Sequence, residues 1–512
     1  MKKVSQIKVG AIISYIALAL NIVLGLIYTP WMKDVIGIEN HGLYTLATSL
    51  ISIFMLDFGL GSAVSRFVAK YRAEGNQEKI NDIIGLIYKL YIAIDVIIVA
   101  VLATLFFFIE SIYQGLTSQE IEQFKVLYLI VAGFNIISFP FSPLSGILNA
   151  YEKFIQLKIC SLISKISTVV FVVIALCFSS NVVWVVLANA VSGIMVICIK
   201  LLIIKSTVPV KINLRASGKN LYKTLFSFTM WTTIVAIMQR FTHSFAPTVL
   251  GITSSAREIG LYSPAVTIEG YFYLLATAVN GLFLPRVSKY IADKQEGKIS
   301  ELMLKVGRYQ LLFLGLIFTG FVCVGKDFMV TWMRGAEYEK SYYSAVVILF
   351  PTLLSTTMQI ASTTIIAKKM VHYNAICMIV TGVLGLGLSY WLSFYIGSVG
   401  VCIGTAFAAL SNLVFMNFIY HKKLGINMLN FYKKCYLRAL PCFAVTIGLG
   451  LLIGYYIPLG GWLGIFVKGC ITVAIFTVIF FAIYFTMEEK KKIFEQFKNI
   501  LCKFRRGKKE NE

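Results

Sequence analysis

Apolar runs of about twenty residues recur along the whole chain, separated by short polar or basic segments. A helix of about 20 apolar residues crosses the hydrocarbon core of a bilayer, which is ~30 Å thick. The pattern predicts an all-α polytopic membrane protein with about fourteen transmembrane helices, at 9–30, 43–66, 83–108, 124–149, 159–178, 183–204, 223–249, 261–284, 304–325, 342–367, 375–396, 400–420, 436–457 and 463–486.

The chain repeats itself with a period near 218 residues. Gly-Leu-Tyr at 42–44 recurs at 260–262, and Val-Ala-Lys-Tyr at 68–71 recurs as Val-Ser-Lys-Tyr at 287–290. An even number of predicted spans separates the copies, so both have the same orientation in the membrane. Parallel repeats of this kind rock against each other around a shared cavity. We predict an N-terminal six-helix bundle (1–222), a C-terminal six-helix bundle (223–430), two additional transmembrane helices (431–487) and a basic amphipathic cytoplasmic tail (488–512).

Composition supports the membrane assignment and removes several function classes. Of 512 residues, 58% are hydrophobic and only 14% are charged, which is too apolar for a soluble protein. A net charge of +23 would suggest nucleic acid in a soluble protein. Here Lys and Arg collect in alternate connections, as the positive-inside rule requires, so we expect no nucleic-acid partner and place both termini in the cytoplasm. The connections are too short to hold a separate active site, so we expect a transporter and not an enzyme.

The metal-binding residue types and the C-terminal tail lead to two further expectations. Ten cysteines without a CxxC motif and four scattered histidines predict no metal or cofactor. The tail predicts an interfacial helix on the anionic inner leaflet, with a solvated basic tail as the alternative. Its apolar face would contain Ile493, Phe494, Phe497, Ile500, Leu501 and Phe504.

Ionisable residues inside apolar spans are the candidate site residues. A charge near the bilayer centre costs about 2.5–3.5 kcal/mol on insertion scales, so it normally faces a cavity or a partner. Snorkelling to the surface is the alternative for Lys89 and Arg308, and an interfacial anchor is the alternative for Arg286. The substrate-binding candidates are Arg66, Arg240, His243, Lys89, Arg286 and Arg308, and the ion-coupling candidates are Asp57, Asp95 and Glu269.

Arg66 and Arg240 lie on helix faces of small and polar residues, which is typical of a water-filled lumen but also of tight helix contacts. A cationic lumen predicts an anionic passenger. Asp57 lies opposite the Arg66 face, and Glu269 could either pair with Arg240 or carry a proton. The first face contains Thr45, Thr48, Ser52, Gly59 and Ser62, and the second contains Thr229, Thr233, Ala236, His243, Ser244 and Pro247.

The segment LDFGLGSAVSRFVAKY after a Gly-Leu-Tyr, with GLYSPA in the second copy, resembles the polysaccharide flippase family. These are Wzx-type transporters of O-antigen, capsule and teichuronic-acid units, in the MOP superfamily with MATE exporters and lipid II flippases. The resemblance implies alternating-access flipping of undecaprenyl-pyrophosphate-linked oligosaccharide across a bacterial inner membrane. Arg66, Arg240 and His243 would then hold the pyrophosphate, coupled to an H⁺ or Na⁺ gradient. Where such relatives often carry an acidic residue, this chain has His243 and Ser244.

The resemblance also implies partners: membrane lipids, a polysaccharide polymerase and a chain-length regulator. A MATE-type multidrug or cation-coupled exporter is the nearest alternative, although such exporters usually have twelve spans and acidic cavities. A membrane-embedded polymerase or ligase is an alternative from another class. It would need a nucleophile or an acid–base pair on a sizeable outer loop, and the chain offers none.

Overall fold

The computed structural model describes residues 3–55, 60–210, 212–213, 231, 233–241, 244–277, 283–485, 487 and 490. This part of the chain is almost entirely helical and contains no strand, which confirms the predicted all-α class. The helices are α1 (Lys3–Ile36), α2 (Ile38–Phe54), α3 (Leu60–Ala73), α4 (Gln77–Ile112), α5 (Ser118–Ser138), α6 (Pro143–Ala150), α7 (Phe154–Phe178), α8 (Val182–Thr207), α9 (233–241), α10 (Ala246–Thr253), α11 (Ala256–Thr277), α12 (Phe283–Ala292), α13 (Gly297–Met333), α14 (Glu339–Thr357), α15 (Gln359–Ala367), α16 (Val371–Ile396), α17 (Ser398–Leu424), α18 (Met428–Tyr432), α19 (Ala439–Tyr456) and α20 (Gly461–Ile479).

Within the described ranges, ten helical segments are long and apolar enough to cross a membrane, or eleven if the bent pair of α14 and α15 is one span. The chain is therefore a multi-pass membrane protein. The three other predicted spans, 43–66, 223–249 and 261–284, each include residues outside the described ranges. The count of fourteen stays a prediction, as does the tail helix, which lies almost wholly outside the described residues.

Three of the predicted spans are not single continuous helices in the described part of the chain. The span at 43–66 leaves helical geometry at Met55, the span at 223–249 bends at Phe245 before Pro247, and α14 meets α15 at an angle of 55°. Near the last break, Thr356 and Thr357 donate to carbonyls of the preceding turn. Such side-chain bonds to the backbone bend helices, and proline ends or kinks them.

The two copies of the repeat meet where α2 packs on α11. A Cβ at Gly42 would lie 2.0 Å from the carbonyl oxygen of Ala256, and a Cβ at Gly260 would lie 2.5 Å from that of Ile38. Glycine is needed at both positions because the backbones touch. Residues 42 and 260, like 38 and 256, are one repeat period apart. Thr45 Oγ1 donates to Ser263 Oγ at 3.4 Å, across a separation of 218 residues. Equivalent positions of the two copies are therefore in contact with each other, as at a two-fold axis.

Ion pairs cross the same end of the molecule, which we call the closed end (residues 33–42, 253–258 and 332–340). Arg334 donates to Asp34 at 2.8 Å, and Arg257 lies 3.9 Å from Glu39. Toward the other end, α3 packs on α4 and α6, whereas α12 packs on α13 and α15. The α2–α11 seam therefore joins the two copies at the closed end, and α3 and α12 each continue within their own copy.

The last two helices pack on α13. Lys468 of α20 is 6% exposed and donates to Asp327 of α13 at 2.7 Å. At the other end of α13, the guanidinium of Arg308 lies 5.0 Å from the ring centroid of Tyr484 and donates to its hydroxyl at 3.3 Å. Polar contacts near both ends of α13 thus fix the register of the two added helices against the second copy of the repeat.

Candidate functional site

Each copy of the repeat encloses a cavity between equivalent helices. The first, the Arg240 cavity, lies between α2, α5 and α8 and measures about 310 Å³. The second, the Glu269 cavity, lies between α11, α14, α16 and α17 and measures about 180 Å³. Tyr44 and Tyr262 line the two cavities at positions one repeat period apart, as do Phe134 and Thr352. The duplication has produced two cavities with equivalent helices in their walls.

Helix α9 separates the two cavities. Its consecutive residues Gln239 and Arg240 line different cavities, Gln239 the Glu269 cavity and Arg240 the other. Successive residues of a helix point about 100° apart, so one helix placed between two cavities can contribute to both. The chain just after α9 is tied to α2, because Ser52 Oγ lies 3.1 Å from Ser244 Oγ.

Arg240 is the one charged side chain among the described residues that line the Arg240 cavity, and the others are neutral polar or apolar. The Nδ2 atoms of Asn135 and Asn189 donate to carbonyls one turn earlier, at 2.7 and 2.8 Å. Asn189 Nδ2 also reaches Tyr44 Oη at 3.5 Å, and Thr48 Oγ1 donates to the Tyr44 carbonyl at 2.8 Å. These bonds use part of the donors of the wall and leave its acceptor oxygens available, while Arg240 supplies five charged donor N–H groups.

The Glu269 cavity is acidic. Glu269 is 7% exposed, and its Oε1 accepts from Thr352 Oγ1 at 2.9 Å. Asn412 Oδ1 on the same cavity is buried, and no described residue donates to it. A buried carboxylate with one neutral donor is costly unless it binds a proton or a cation. The oxygen atoms gathered here are suited to either.

The candidate residues fall into three groups. Arg240 and Glu269 line separate cavities, and no ion pair joins them within the described residues. Arg66 is exposed on α3, beyond the break at Met55, and is not among the residues lining either cavity. Asp57 and His243 lie outside the described residues.

The remaining candidates lie away from both cavities. Arg286 is exposed and donates from Nε to Tyr290 Oη at 3.0 Å on its own helix. Arg308 bonds to Tyr484 of the C-terminal addition. Lys89 and Asp95 are half-buried on α4, and Asp95 Oδ1 is buried without a partner in the described part of the chain.

Sequence reasoning placed Thr48 and Ser52 on a polar face, and both line the Arg240 cavity, but it missed the amides. Asn135, Asn189 and Asn412 are amides inside predicted spans, and a search restricted to charges passes over them. Tyr44 and Tyr262 belong to the repeated Gly-Leu-Tyr motif itself. An amide inside an apolar run, or a motif present in both copies, would have been the signal.

A family model described as "Polysaccharide biosynthesis protein" matches residues 8–283, more than half of the chain. The chain belongs to this family. The match covers the first copy of the repeat and extends through α9 and α11, and therefore includes both Arg240 and Glu269. A search of curated proteins finds no significant match.

Solved transporters share the fold of this family member. The lipid II flippase MurJ in an inward closed conformation superposes with a TM-score of 0.70 at 16% identity, covering 93% of this chain and 99% of MurJ. An inward-facing multidrug resistance MATE transporter of the MOP superfamily gives 0.68 at 13% identity, covering 83% and 99%. A eukaryotic MATE transporter gives 0.53 at 14% identity, covering 84% and 100%. The fold is MurJ- and MATE-like, and these structural relatives are transporters.

Proposed function

We propose that this membrane protein is a flippase for undecaprenyl-pyrophosphate-linked oligosaccharide, working by alternating access in a bacterial inner membrane. The family is one of polysaccharide biosynthesis, and a structural relative is a lipid II flippase. The observation that carries the proposal is Arg240, the one cation among the described residues that line a cavity of neutral polar and apolar groups. A guanidinium binds phosphate oxygens in a bidentate manner, so it suits a pyrophosphate.

Opening and closing of the closed end would produce the alternating access. With the N-terminus in the cytoplasm, as the charge pattern predicts, this end faces outward and the seam between α2 and α11 seals it. Release of substrate requires the seam at Gly42 and Gly260 to open and the opposite end to close. The predicted bundles 1–222 and 223–430 are the rocking units of this cycle, with 431–487 moving with the second.

Glu269 is the residue proposed to couple transport to an H⁺ or Na⁺ gradient. It is buried in the cavity that Arg240 does not line. Because α9 borders both cavities, a proton or cation bound near Gln239 can change the position of Arg240. Coupling requires that the ion bind one access state more tightly than the other. Polysaccharide polymerase and a chain-length regulator remain the proposed partners.

The deciding experiment is complementation of a flippase-null strain by Arg240 variants present at normal levels in the membrane. Arg240→Ala should abolish complementation, and Arg240→Lys should retain part of it, because lysine keeps the charge but not the bidentate geometry. Arg286→Ala is the control and should have a mild effect, since Arg286 bonds within its own helix. Full activity of Arg240→Ala alongside failure of Arg286→Ala would contradict the proposal.

A cation-coupled multidrug exporter is the second candidate, and the buried Glu269 is the observation that favours it. An exporter would raise the resistance of a sensitive host to cationic drugs, and Glu269→Gln would remove that resistance. The flippase proposal expects no change in drug resistance for either form of the protein.

A further inference from the structure

Pyrophosphate bound at Arg240 would place the sugar attached to it within the same cavity. This step rests on the proposed function. The sugar and the pyrophosphate share one oxygen atom, so the sugar ring must lie within a bond or two of the phosphate. The space beside Arg240 is the cavity of about 310 Å³ between α2, α5 and α8. It is at the lower limit of small-molecule sites and holds one ring, not an oligosaccharide.

The hydrogen bonds within the protein determine which polar atoms of this cavity are left for a ligand. A backbone carbonyl can only accept a hydrogen bond, so the amide nitrogens of Asn135 and Asn189, and not their oxygens, must face the carbonyls of Val131 and Val185. Neither Oδ1 accepts a hydrogen bond from a described residue. Thr48 likewise donates to a carbonyl and keeps its lone pairs. Three acceptors on three different helices are therefore available to the donors of a ligand.

An aromatic ring completes the cavity. Phe134 lines it from α5 and packs on α8 at Gly193, where a Cβ would lie 2.2 Å from the ring. Gly193 thus allows the ring to lie against the α8 backbone. The cavity combines acceptors, an aromatic face and one cation, which matches a sugar with hydroxyl or acylamino donors, an apolar ring face and a phosphate on its anomeric oxygen.

We propose that the Arg240 cavity is the subsite for the sugar bonded directly to the pyrophosphate, and that Asn135 and Asn189 determine which sugar is accepted. The rest of the oligosaccharide lies outside this cavity. The Glu269 cavity does not serve as a second sugar subsite, because it is smaller, about 180 Å³, and its buried carboxylate would repel the phosphate.

The test is a binding titration with the full chain in detergent and two probes. One is undecaprenyl pyrophosphate, and the other is the same lipid carrying one N-acetylhexosamine. Asn135→Ala and Asn189→Ala should each weaken binding of the sugar-bearing probe about two- to tenfold and leave the bare lipid unchanged. Arg240→Ala should weaken both. Asn412→Ala, an amide of the other cavity, is the matched control and should change neither.

A second variant tests the subsite without removing a polar group. Gly193→Ala should displace the Phe134 ring and weaken only the sugar-bearing probe. Equal effects of the asparagine variants on both probes, or no effect on either, would overturn the subsite while the proposed function stood. Wild-type protein that binds neither probe, or binding unaffected by Arg240→Ala, would overturn the proposed function and the subsite with it.

Discussion

The two cavities share a plan and differ in chemistry. Tyr44 and Tyr262 occupy equivalent positions, and equivalent helices form the walls. One cavity contains an arginine and acceptor oxygens, whereas the other contains a buried carboxylate. A carboxylate repels a phosphate, and a guanidinium repels a cation, so each cavity excludes the ligand suited to the other. The repeat supplies the shared scaffold, and different residues at the walls give the two cavities different charges.

Reversing the charge of one cavity should produce the largest effect. Arg240→Glu should weaken substrate binding by about 2–5 kcal/mol, thirtyfold or more, because it places a carboxylate against the pyrophosphate. Gln239→Glu introduces the same charge one residue earlier, where the side chain lines the other cavity. It should leave substrate binding within about twofold. Binding titrations of both variants make the comparison, and equal losses would mean that α9 does not separate the cavities.

Neutralising the acidic cavity should affect coupling and spare binding. Glu269→Gln should reduce gradient-driven flipping about tenfold and leave substrate affinity unchanged, since a charged hydrogen-bonding group contributes about 1.5–3 kcal/mol. Flipping in proteoliposomes with and without a pH or Na⁺ gradient measures this. Thr352→Val, which removes the hydroxyl donor to Glu269, should act in the same direction and more weakly. A loss of substrate affinity in Glu269→Gln would contradict the separation of roles.

The seam between the two copies should respond to a single methyl group. Gly260→Ala should lower the free energy of unfolding by about 1–3 kcal/mol, because its Cβ would meet the Ile38 carbonyl at 2.5 Å. Gly270 lies on the same helix with nothing within 4 Å of a Cβ. Gly270→Ala should instead stabilise the helix by up to about 1 kcal/mol. Thermal unfolding in detergent compares the two, and the same sign for both would contradict the close approach at the seam.

The smallest expected effect is a pH dependence at the closed end. His41, in the segment between the predicted spans 9–30 and 43–66, is buried, and burial followed by the charge of Lys33 lowers its pKa from 6.5 to about 4. The folded protein therefore binds fewer protons than the unfolded chain below about pH 6.5. Stability should fall as the pH is lowered from about 6.5 to about 4. His41→Asn should flatten this part of the profile of melting temperature against pH, and an unchanged profile would exclude His41.

The class of fold and the repeat were predictable from sequence, because apolar runs and a motif present twice are properties of the chain alone. The helix breaks were not. Neither Met55 nor Met358 is next to a proline. Near Met358, Thr356 and Thr357 bond to backbone carbonyls that come within reach only when the helix has formed. The continuous polar face from Thr45 to Arg66 was wrong, since the helix is interrupted at Met55.

The site was predictable only in part. Arg240 and Glu269 stood out because charges are rare in apolar spans. That they line different cavities follows from the position of α9 between the two copies, which no local pattern encodes. The contact that Arg308 makes was not predictable for a similar reason. Its partner, Tyr484, is distant in sequence and belongs to the C-terminal addition.

The reciprocal contacts at Gly42 and Gly260 suggest an ancestry. Two separate chains of half this length could assemble through the same surfaces, each glycine lying against the other chain's carbonyl, as an isologous dimer. Identical subunits, however, must carry identical cavities, so an ancestor of that kind could not have held an arginine in one and a glutamate in the other. Joining the two copies in one gene removed that constraint. The preserved seam and the divergent cavities are what such a fusion leaves behind.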